Sequence, residues 1–493
     1  MPARVFGAVD IGASSGRVIA GVVDGGRTTL HTVHRFTNGV RERDGHLRWN
    51  ITGLYREVLT GLRALAVGFP EVESIGIDTW AVDYGLLDGD GNLLAEPISY
   101  RDDRTDAVID AVHDRIDPQA LYGINGLQYL PFNTMYQLVA EQKSQLWDRA
   151  AHIVLLPDLL AYWLTGELRT ETTNASTTGL LDVRTGTWSR ELLTRLDIPR
   201  SLLPPLQQPG KQRGILRAEL ADCTGLSQST AVTTVGSHDT ASAVAAVPAT
   251  DTRFAYISSG TWSLAGVELA APVLTEDARR ANFTNEGGVD RRTRFLRNVG
   301  GLWLLQESLR TWTDEGRNPE LNALLAEAAT IPAGGPEVDV DDAEFIRPGD
   351  MPTRICTAAG LPSSTSPAKV VRCILDSLAT AYRDTVREAV ALTGAEVEVI
   401  HIVGGGSQNA LLCQLTADRT GLPVIAGPIE ATALGNVLVQ ARAHGAAPDT
   451  LEDIRSMLAQ TQRTRRYKPF RRPTVTTGTS ATGCRWPLRN LVE

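Results

Sequence analysis

The sequence contains little lysine and little cysteine, and it has no excess of positive charge. Only four of its 493 residues are lysine, and none stands in the GxxxxGK[ST] pattern of a phosphate-binding P-loop. Its five cysteines form neither a CxxC pair nor a Cys/His spacing suited to zinc, which excludes a disulfide scaffold and a zinc site. Forty-eight basic against 57 acidic residues leave a net charge of −9, which argues against a protein that coats nucleic acid or an anionic membrane.

The sequence also lacks a long apolar segment. Its longest uncharged run, residues 118–140, is interrupted by six glutamine, asparagine and proline residues, which a bilayer span would not tolerate. The first residues lack the apolar core and cleavage site of a signal peptide, so we expect a mature chain that starts at Met1 in the reducing cytoplasm. At 493 residues the chain is too long for one small core, and about two to four domains are expected.

Two distant segments share one pattern. Residues 5–10 form an apolar run that is followed by a turn of small residues and a second apolar run at 18–23. Residues 254–267 repeat this pattern at a constant offset of 248 residues, so that Gly12 corresponds to Gly260 and Ser15 to Ser263. An offset of half the chain length predicts two related domains, each of which opens with a strand–turn–strand unit. The small and polar residues of 245–253 suit the crossing point between them.

These observations predict three regions. We expect an N-terminal domain over residues 1–246, a C-terminal domain over 247–470 and a poorly ordered tail over 471–493, which has little periodicity. Strands are expected at 74–78, 152–156 and 397–403, and helices at 54–67, 134–149, 368–392, 409–419 and 432–444. The alternation is typical of an α/β fold with mostly parallel sheets.

Three turns rich in glycine or serine follow directly on apolar strands, at residues 12–17, 258–263 and 404–409. Small residues let the backbone approach phosphate oxygens, and exposed N–H groups and hydroxyls supply donors. Each turn alone can be an ordinary tight turn, but three of them, two in the repeated unit, favour a nucleotide site. No GxGxxG turn is followed by an acidic residue about 20 positions on, which disfavours a dinucleotide-binding fold.

Two carboxylates stand at the ends of apolar runs. Asp10 precedes the first turn, where it could hold a divalent cation between phosphates or cap the turn. Asp239 opens a segment of small residues, where it could be a helix N-cap or accept the proton of an attacking hydroxyl, a contribution of about 10²- to 10⁴-fold in rate. Position alone leaves both alternatives open for each residue.

Aromatic and charged residues gather at two further places. Asp78, Trp80 and Asp83 combine carboxylates with a flat ring, as sugar sites do, although Trp80 and Trp262 could equally be core aromatics. His238, beside Asp239, could bind a sugar hydroxyl or be structural. The charged cluster at 101–104 could be a self-paired surface loop. Cys356 and Cys373 are expected to be small core residues.

Taken in order, six segments closely resemble the FGGY carbohydrate kinases, and among them the members that act on L-rhamnulose. They are residues 9–17, 75–80, 100–104, 237–240, 257–263 and 403–409, and further matching stretches lie at 285–288, 301–306 and 426–431. The similarity extends from about residue 5 to residue 440.

The resemblance implies two actin-like, ribonuclease-H-like domains that flank a cleft. It implies transfer of the γ-phosphoryl group of ATP, with Mg²⁺, to the 1-hydroxyl of L-rhamnulose in L-rhamnose catabolism, with Asp239 as the general base. The residues expected to bind the sugar are Asp78, Trp80, Ala81, His238, Asp239, Thr240 and Asn298. Those expected to bind the nucleotide are Ala13, Ser14, Ser15, Gly16, Arg17, Thr261, Gln306 and Gly405, and Asp10 would support Mg²⁺.

One position departs from the family. Ala81 stands where the family usually has glycine, and its methyl group would narrow the sugar pocket. The alternatives are an FGGY kinase for another ketose or a polyol, such as L-fuculose, xylulose or glycerol, a catalytically dead sugar sensor, and a non-catalytic actin-like nucleotide-binding protein. We expect only small-molecule partners, a sugar and ATP, without nucleic acid or membrane, and a monomer or homodimer.

Overall fold

The computed structural model describes residues 3–69 and 71–470, and the predicted tail at 471–493 lies outside these ranges. The strands of the N-terminal half are β1 (Arg4–Ile11), β2 (Ser15–Asp24), β3 (Arg27–Thr37), β4 (Val40–Arg43), β5 (His46–Trp49), β6 (Val72–Thr79), β7 (Tyr84–Leu87), β8 (His152–Leu155), β9 (Thr170–Glu171), β10 (Leu181–Asp182), β11 (Thr187–Trp188), β12 (Leu206–Gln207), β13 (Gln212–Ile215) and β14 (Ala231–Thr233). Its helices are α1 (Ile51–Gly68), α2 (Ile109–Arg115), α3 (Pro118–Asn125), α4 (Thr134–Glu141), α5 (Leu156–Thr165), α6 (Thr172–Ala175), α7 (Arg190–Arg195), α8 (Ala218–Thr224) and α9 (Asp239–Ala245).

The C-terminal half follows the same alternation of strands and helices. Its strands are β15 (Phe254–Ser259), β16 (Trp262–Leu269), β17 (Thr284–Gly287), β18 (Thr293–Gly300), β19 (Val399–Val403), β20 (Val424–Ala426) and β21 (Arg465–Tyr467). Its helices are α10 (Glu276–Arg280), α11 (Trp303–Asp314), α12 (Leu321–Thr330), α13 (Met351–Ala358), α14 (Pro367–Thr393), α15 (Ala410–Thr420), α16 (Ala431–Ala443) and α17 (Leu451–Thr461).

The predicted helix at 134–149 is wrong in its second half. Helix α4 ends at Glu141, and only a short 3-10 turn at Trp147–Arg149 follows it. The hydroxyl of Ser144 donates to the Glu141 carboxylate and accepts the N–H of Leu146. A serine that bonds nearby backbone in this way competes with helical hydrogen bonds, which explains the early end of the helix.

The two halves contain sheets of matching topology. The N-terminal sheet has the order β13-β14-β6-β1-β2-β3, and the C-terminal sheet has the order β21-β20-β19-β15-β16-β18, with β17 added at one edge. Every neighbouring pair has the same orientation in both sheets, parallel for β1–β6 and β6–β14 as for β15–β19 and β19–β20, and antiparallel elsewhere. The repeat in the sequence is therefore a repeat of the whole sheet.

The expectation of mostly parallel sheets was wrong, because both sheets are mixed. Strands β1, β2 and β3 follow one another through short turns, and such turns can join only antiparallel neighbours. Parallel pairs occur only where helices such as α1 separate the strands along the chain.

Two helices cross between the halves. Helix α16 of the C-terminal half packs on the N-terminal sheet, where Val437 contacts Phe6 and Ile19 in one buried cluster. Helix α9 packs correspondingly beside Phe254 of the C-terminal sheet. The two helices approach so closely that a Cβ added to Gly435 would lie 1.8 Å from the carbonyl oxygen of Ser242. This contact fixes α9 and its first residue, Asp239, at the junction of the halves.

The core of the C-terminal half contains the two cysteines that were expected to be core residues. Cys356 on α13 and Cys373 on α14 are buried free thiols in the C-terminal core, as expected. Among residues 3–69 and 71–470, no helix combines the length and the apolar character that a membrane span needs.

Candidate active site

A cavity of about 280 Å³ lies between the two halves. The N-terminal half contributes residues 12–14, 80–82 and 238–240 to its lining, and the C-terminal half contributes residues 258–262, Asn298 and residues 404–405. The cavity therefore contains members of all three glycine-rich or serine-rich turns together with the segments that were expected to bind a sugar.

Each of the three turns contributes residues to the lining of this cavity. In the first two turns a glycine amide donates back across the turn, from Gly12 to the Ser15 carbonyl (2.8 Å) and from Gly260 to the Trp262 carbonyl (2.9 Å). The third turn begins at Gly404, whose φ of 81° favours glycine, and a Cβ there would lie 3.0 Å from the carbonyl oxygen of Ser259. The absence of side chains thus lets the second and third turns pack against each other.

Asp10 and Arg17 are cross-strand neighbours beside the first turn. The Arg17 guanidinium donates to Oδ2 of Asp10 from Nε (3.0 Å) and from a terminal nitrogen (2.7 Å), and it also pairs with Glu430. Burial disfavours the charge of Arg17, but the carboxylates of Asp10 and Glu430 raise its pKa above the usual value. Asp10 bonds to Arg17 rather than to the turn, so it is not a turn cap.

The residues here fit a magnesium ion that arrives with a nucleotide. Within residues 3–69 and 71–470 no group of three or more His, Cys, Asp or Glu side chains is arranged to hold a metal on its own. Mg²⁺ bound with phosphates needs only one or two carboxylates, because waters and phosphate oxygens complete its shell. Asp10, 7% exposed at the end of β1, can supply such a carboxylate.

Asp239 is the first residue of α9, and the N-cap position belongs to His238, whose side chain makes no capping bond. The Asp239 side chain keeps 31% of its surface exposed and lines the cavity. Its Oδ1 accepts a hydrogen bond from the Thr240 hydroxyl (3.1 Å). Burial of the carboxylate, together with the negative charge of Asp10, raises its pKa above the usual value, although His238 opposes this shift. The result is an accessible carboxylate of increased basicity.

Asp78 lies opposite Asp10 on the neighbouring strand and is fully buried. It does not line the cavity; its Oδ2 accepts a 2.5 Å hydrogen bond from the amide of Asn436 on α16. Burial and the charge of Asp10 raise its pKa well above the usual value. Asp78 is therefore buried next to Asp10 and is not exposed to the cavity.

His238 belongs to a buried charged group. Its Nδ1 lies 3.0 Å from the Arg294 guanidinium and 3.2 Å from the Glu286 carboxylate, and its Nε2 lies 3.6 Å from Oδ1 of Asp239. Burial disfavours the charge of Glu286, but Arg294 and His238 lower its pKa below the usual value. Glu286 lines the cavity, so the group presents a fixed ionised carboxylate beside the imidazole.

Trp80 and Ala81 form a wall of the cavity. The indole N–H of Trp80 donates to Oδ2 of Asp83 (2.9 Å), so Asp83 holds the ring in place, and burial raises the pKa of Asp83 to about 6. Next to Ala81, Val82 has a φ of 67°, a strained value for a β-branched residue. Its carbonyl oxygen accepts hydrogen bonds from Thr134 and from Gln137, which hold this conformation. Strain of this kind is often found at functional sites.

The cluster at 101–104 is not self-paired, so that expectation was wrong. The Arg101 guanidinium lies 5.2 Å from the ring centre of Tyr100 and 4.5 Å from that of Trp303 in the other half. Arg104 pairs with Glu141 of α4. Trp303 and Glu141 come from distant parts of the chain, which sequence spacing does not reveal.

Eleven of the predicted site residues line the cavity. They are Ala13, Ser14, Arg17, Trp80, Ala81, His238, Asp239, Thr240, Thr261, Asn298 and Gly405. Four others lie elsewhere: Asp78 is buried next to Asp10, Ser15 is exposed, Gly16 packs under Phe36, and Gln306 is exposed on α11. Asp10 reaches the cavity through Arg17.

Sequence reasoning missed several lining residues. Glu286 stood in one of the matching stretches but carried no assigned role, whereas Gln128, Phe132 and Asn133 lay in a run that was considered only for its polarity. Trp262, which was considered as a core aromatic, also lines the cavity, and its ring centre lies 6.1 Å from that of Phe132 with the two rings tilted. The sequence signal that could have indicated these lining residues was the pair of aromatic residues Tyr129 and Phe132 between α3 and α4.

Comparison with known proteins agrees with this arrangement. Two models of the FGGY family of carbohydrate kinases match the chain, the N-terminal domain over residues 5–246 and the C-terminal domain over residues 255–444. A rhamnulokinase of Pectobacterium carotovorum subsp. carotovorum (strain PC1) is 44% identical over 94% of this chain and 92% of its own length. A rhamnulokinase of Bacteroides thetaiotaomicron is 41% identical over 94% of this chain and 96% of its own length.

Solved structures share the fold. A ligand-bound xylulose kinase from Lactobacillus acidophilus superposes with a TM-score of 0.78 at 18% identity, covering 95% of this chain and 94% of its own. Plasmodium falciparum glycerol kinase with ADP gives a TM-score of 0.74 at 16% identity, covering 95% of both chains. Because the two family models together match most of its length, the chain belongs to the FGGY family of carbohydrate kinases.

Proposed function

We propose that this kinase transfers the γ-phosphoryl group of ATP to the 1-hydroxyl of L-rhamnulose. The observation that carries the proposal is Asp239, an accessible carboxylate of raised pKa that lines the same cavity as the three glycine-rich or serine-rich turns and the wall of Trp80 and Ala81. The similarity to rhamnulokinases at 41–44% identity supports L-rhamnulose as the acceptor.

In the proposed reaction Asp239 accepts the proton of the 1-hydroxyl while the hydroxyl oxygen attacks the γ-phosphorus. The bond between the γ-phosphorus and the β–γ bridging oxygen breaks, and ADP leaves with the electron pair of that oxygen. A base raised in pKa toward the working pH accepts such a proton more readily than an ordinary aspartate does. Thr240 orients the carboxylate through its hydroxyl.

The two ends of the cavity have separate tasks in this proposal. The turns with Ala13, Ser14, Thr261 and Gly405 hold the phosphates and adenosine through backbone donors, and Arg17 adds positive charge. At the other end Trp80 and Ala81 offer apolar surface to the sugar ring, and His238, Glu286 and Asn298 offer polar partners for its hydroxyls. The positions of Ser15, Gly16, Asp78 and Gln306 outside the lining favour supporting roles for them.

Asp10 would hold Mg²⁺ together with waters and the nucleotide phosphates. When bound, the ion would neutralise charge on the phosphate oxygens. Asp10 would also orient Arg17, because its carboxylate accepts two hydrogen bonds from the Arg17 guanidinium.

Cellular location and domain limits are further parts of the proposal. Cytoplasmic ATP would be the phosphoryl donor, and the buried free thiols suit a reducing compartment. We propose a domain boundary close to residue 246, where α9 ends and a polar segment leads to β15.

The proposal is tested by ADP release with ATP and Mg²⁺ in the presence of L-rhamnulose, L-fuculose, xylulose or glycerol. L-Rhamnulose is expected to give a kcat/KM at least tenfold above every other acceptor, about the discrimination that one well-placed contact provides. A higher value for another sugar would reassign the substrate. A rate of ADP release that is the same with and without each sugar would refute a carbohydrate kinase activity.

A further inference from the structure

Gln128 lies in the loop between α3 and α4, at the sugar end of the cavity. It is 5% exposed and lines both this cavity and an adjoining one on the far side of the loop. Its backbone carbonyl accepts a hydrogen bond from the amide of Asn133 (3.0 Å), which ties the loop to the start of α4. Gln128 therefore has a fixed backbone position in the wall between two cavities.

The side chain of Gln128 bonds to a single residue in the other half of the molecule. Its Oε1 accepts from the backbone N–H of Asn298 (2.8 Å) and from the side-chain amide of Asn298 (3.0 Å). Its Nε2 donates to the backbone carbonyl of Asn298 (3.3 Å). Three hydrogen bonds thus join two residues that are 170 positions apart in the chain.

This pairing decides which end of the Asn298 side chain is available. Because the amide nitrogen of Asn298 donates to Gln128, its Oδ1 is left as the group that can accept from a ligand in the cavity. Without the bond to Gln128, the Asn298 amide could rotate and present either its nitrogen as a donor or its oxygen as an acceptor to a ligand. A sugar hydroxyl is a donor that such a fixed acceptor recognises.

Gln128 itself has little capacity left for a ligand. Both lone-pair positions of its Oε1 are used by Asn298, and one of its two amide hydrogens is used as well. Its effect on a ligand therefore passes through Asn298. A residue of this kind positions a binding group and does not contact the substrate through its main polar atoms.

We propose that Gln128 is a positioning residue that fixes the Asn298 amide as a hydrogen-bond acceptor for the sugar and so sets the affinity for it. The proposal rests on the function proposed above, since it concerns the sugar end of the same site. It also predicts that the sugar end is complete only when the two halves meet, because each half supplies one member of the pair.

The test is a double-mutant cycle with Gln128→Met and Asn298→Ala, measured as KM for L-rhamnulose, KM for ATP and kcat. Methionine keeps the volume of glutamine but removes all three hydrogen bonds. Each single variant is expected to raise the sugar KM by about 3- to 10-fold, the effect of one hydrogen bond, with the KM for ATP unchanged. The double variant is expected to match Asn298→Ala alone, because Gln128 has no effect without its partner.

Two further variants complete the design. Gln128→Glu keeps the acceptor for both Asn298 donors and is expected to retain a sugar KM within about threefold of wild type. Gln142→Met is the matched control, since Gln142 also bridges two segments, by donating to the carbonyls of Leu196 and Asp197, but lies outside the cavity. It is expected to leave the sugar KM unchanged.

The outcomes separate the two proposals. If the wild-type protein phosphorylates no sugar, the proposed function fails. If the wild type is active but Gln128→Met keeps its sugar KM, or the effects of Gln128→Met and Asn298→Ala multiply, the positioning role is refuted. Should Gln128→Met fail to fold, Gln128→Glu decides: a sugar KM raised more than about threefold in a folded protein would overturn the proposal.

Discussion

Replacement of Asp239 by asparagine removes the carboxylate that the proposed reaction uses as a base and changes little in the packing of the side chain. Asparagine has the same shape, and its oxygen can still accept the hydrogen bond that the Thr240 hydroxyl donates to Asp239. With 31% of its surface exposed to the cleft, the side chain supports no buried packing. The fold and nucleotide binding should therefore remain.

The expected loss is in turnover. An amide cannot accept a proton, and the contribution of a general base is about 10²- to 10⁴-fold, so kcat/KM for L-rhamnulose should fall by that factor while the affinity for ADP changes by less than about twofold. The pH dependence should change as well. The wild-type rate requires the ionised carboxylate, whose pKa burial raises, so the rate should rise with pH through that pKa, and Asp239→Asn should lack this rise.

The assay is ADP release coupled to NADH oxidation over a range of pH, with ADP binding measured by calorimetry. Asp222→Asn, an exposed aspartate outside the cavity, is the matched control and should behave as wild type. A variant at position 239 that keeps more than about a tenth of wild-type kcat/KM, or that keeps the acidic limb of the pH profile, would refute the role of Asp239 as base.

Three other predictions concern packing, buried charge and the sugar pocket. Gly435→Ala should lower the free energy of unfolding by about 1–3 kcal/mol in urea, because its methyl would meet the Ser242 carbonyl, whereas Gly123→Ala, with open space in a helix, should not. Because the raised pKa of Asp78 lets the native state keep a proton that the unfolded chain releases, Asp78 should contribute to a fall in the free energy of unfolding above about pH 4, and Asp78→Asn should make that fall, measured by urea unfolding over a pH series, smaller. Ala81→Gly should lower the preference of kcat/KM for L-rhamnulose over L-fuculose by about tenfold, and an unchanged ratio would contradict a filtering role for the methyl group.

Much of the fold follows from local patterns in the sequence. The strand–turn–strand unit at residue 5 and its copy at residue 254 mark the same hairpin at the centre of two equivalent sheets. Asp10 and Asp239 stood out because each ends an apolar run, and the ends of strands next to glycine-rich turns are where ligands bind in such sheets. These features depend on residues within a few positions of one another.

The alternation of side chains along strands explains why some residues of a motif lie in the cavity and others do not. Arg17 and Gly16 are adjacent on β2, so they point to opposite faces: Arg17 reaches Asp10 at the cavity, and Gly16 lies against the ring of Phe36. A motif match alone treats both as ligand contacts. The sequence placed both residues in the turn at 12–17, whereas β2 begins at Ser15, so the period of two was not applied to them.

A single sequence could not predict the contacts that join the two halves beside the cavity. His238 meets Arg294 across 56 positions, and Gln128 meets Asn298 across 170. Each of these pairs joins residues from both halves, so it depends on how the halves associate through α9 and α16. No local periodicity encodes that association.

In the proposed reaction one cleft carries a phosphoryl group from ATP to a defined sugar hydroxyl. Two-dimensional ³¹P–¹H NMR of the product formed from L-rhamnulose, ATP and Mg²⁺ identifies that hydroxyl. We expect one new phosphomonoester signal that correlates with the protons on carbon 1 and that forms at the same rate as ADP. Phosphate on another carbon, or inorganic phosphate as the sole product, would contradict the proposed reaction.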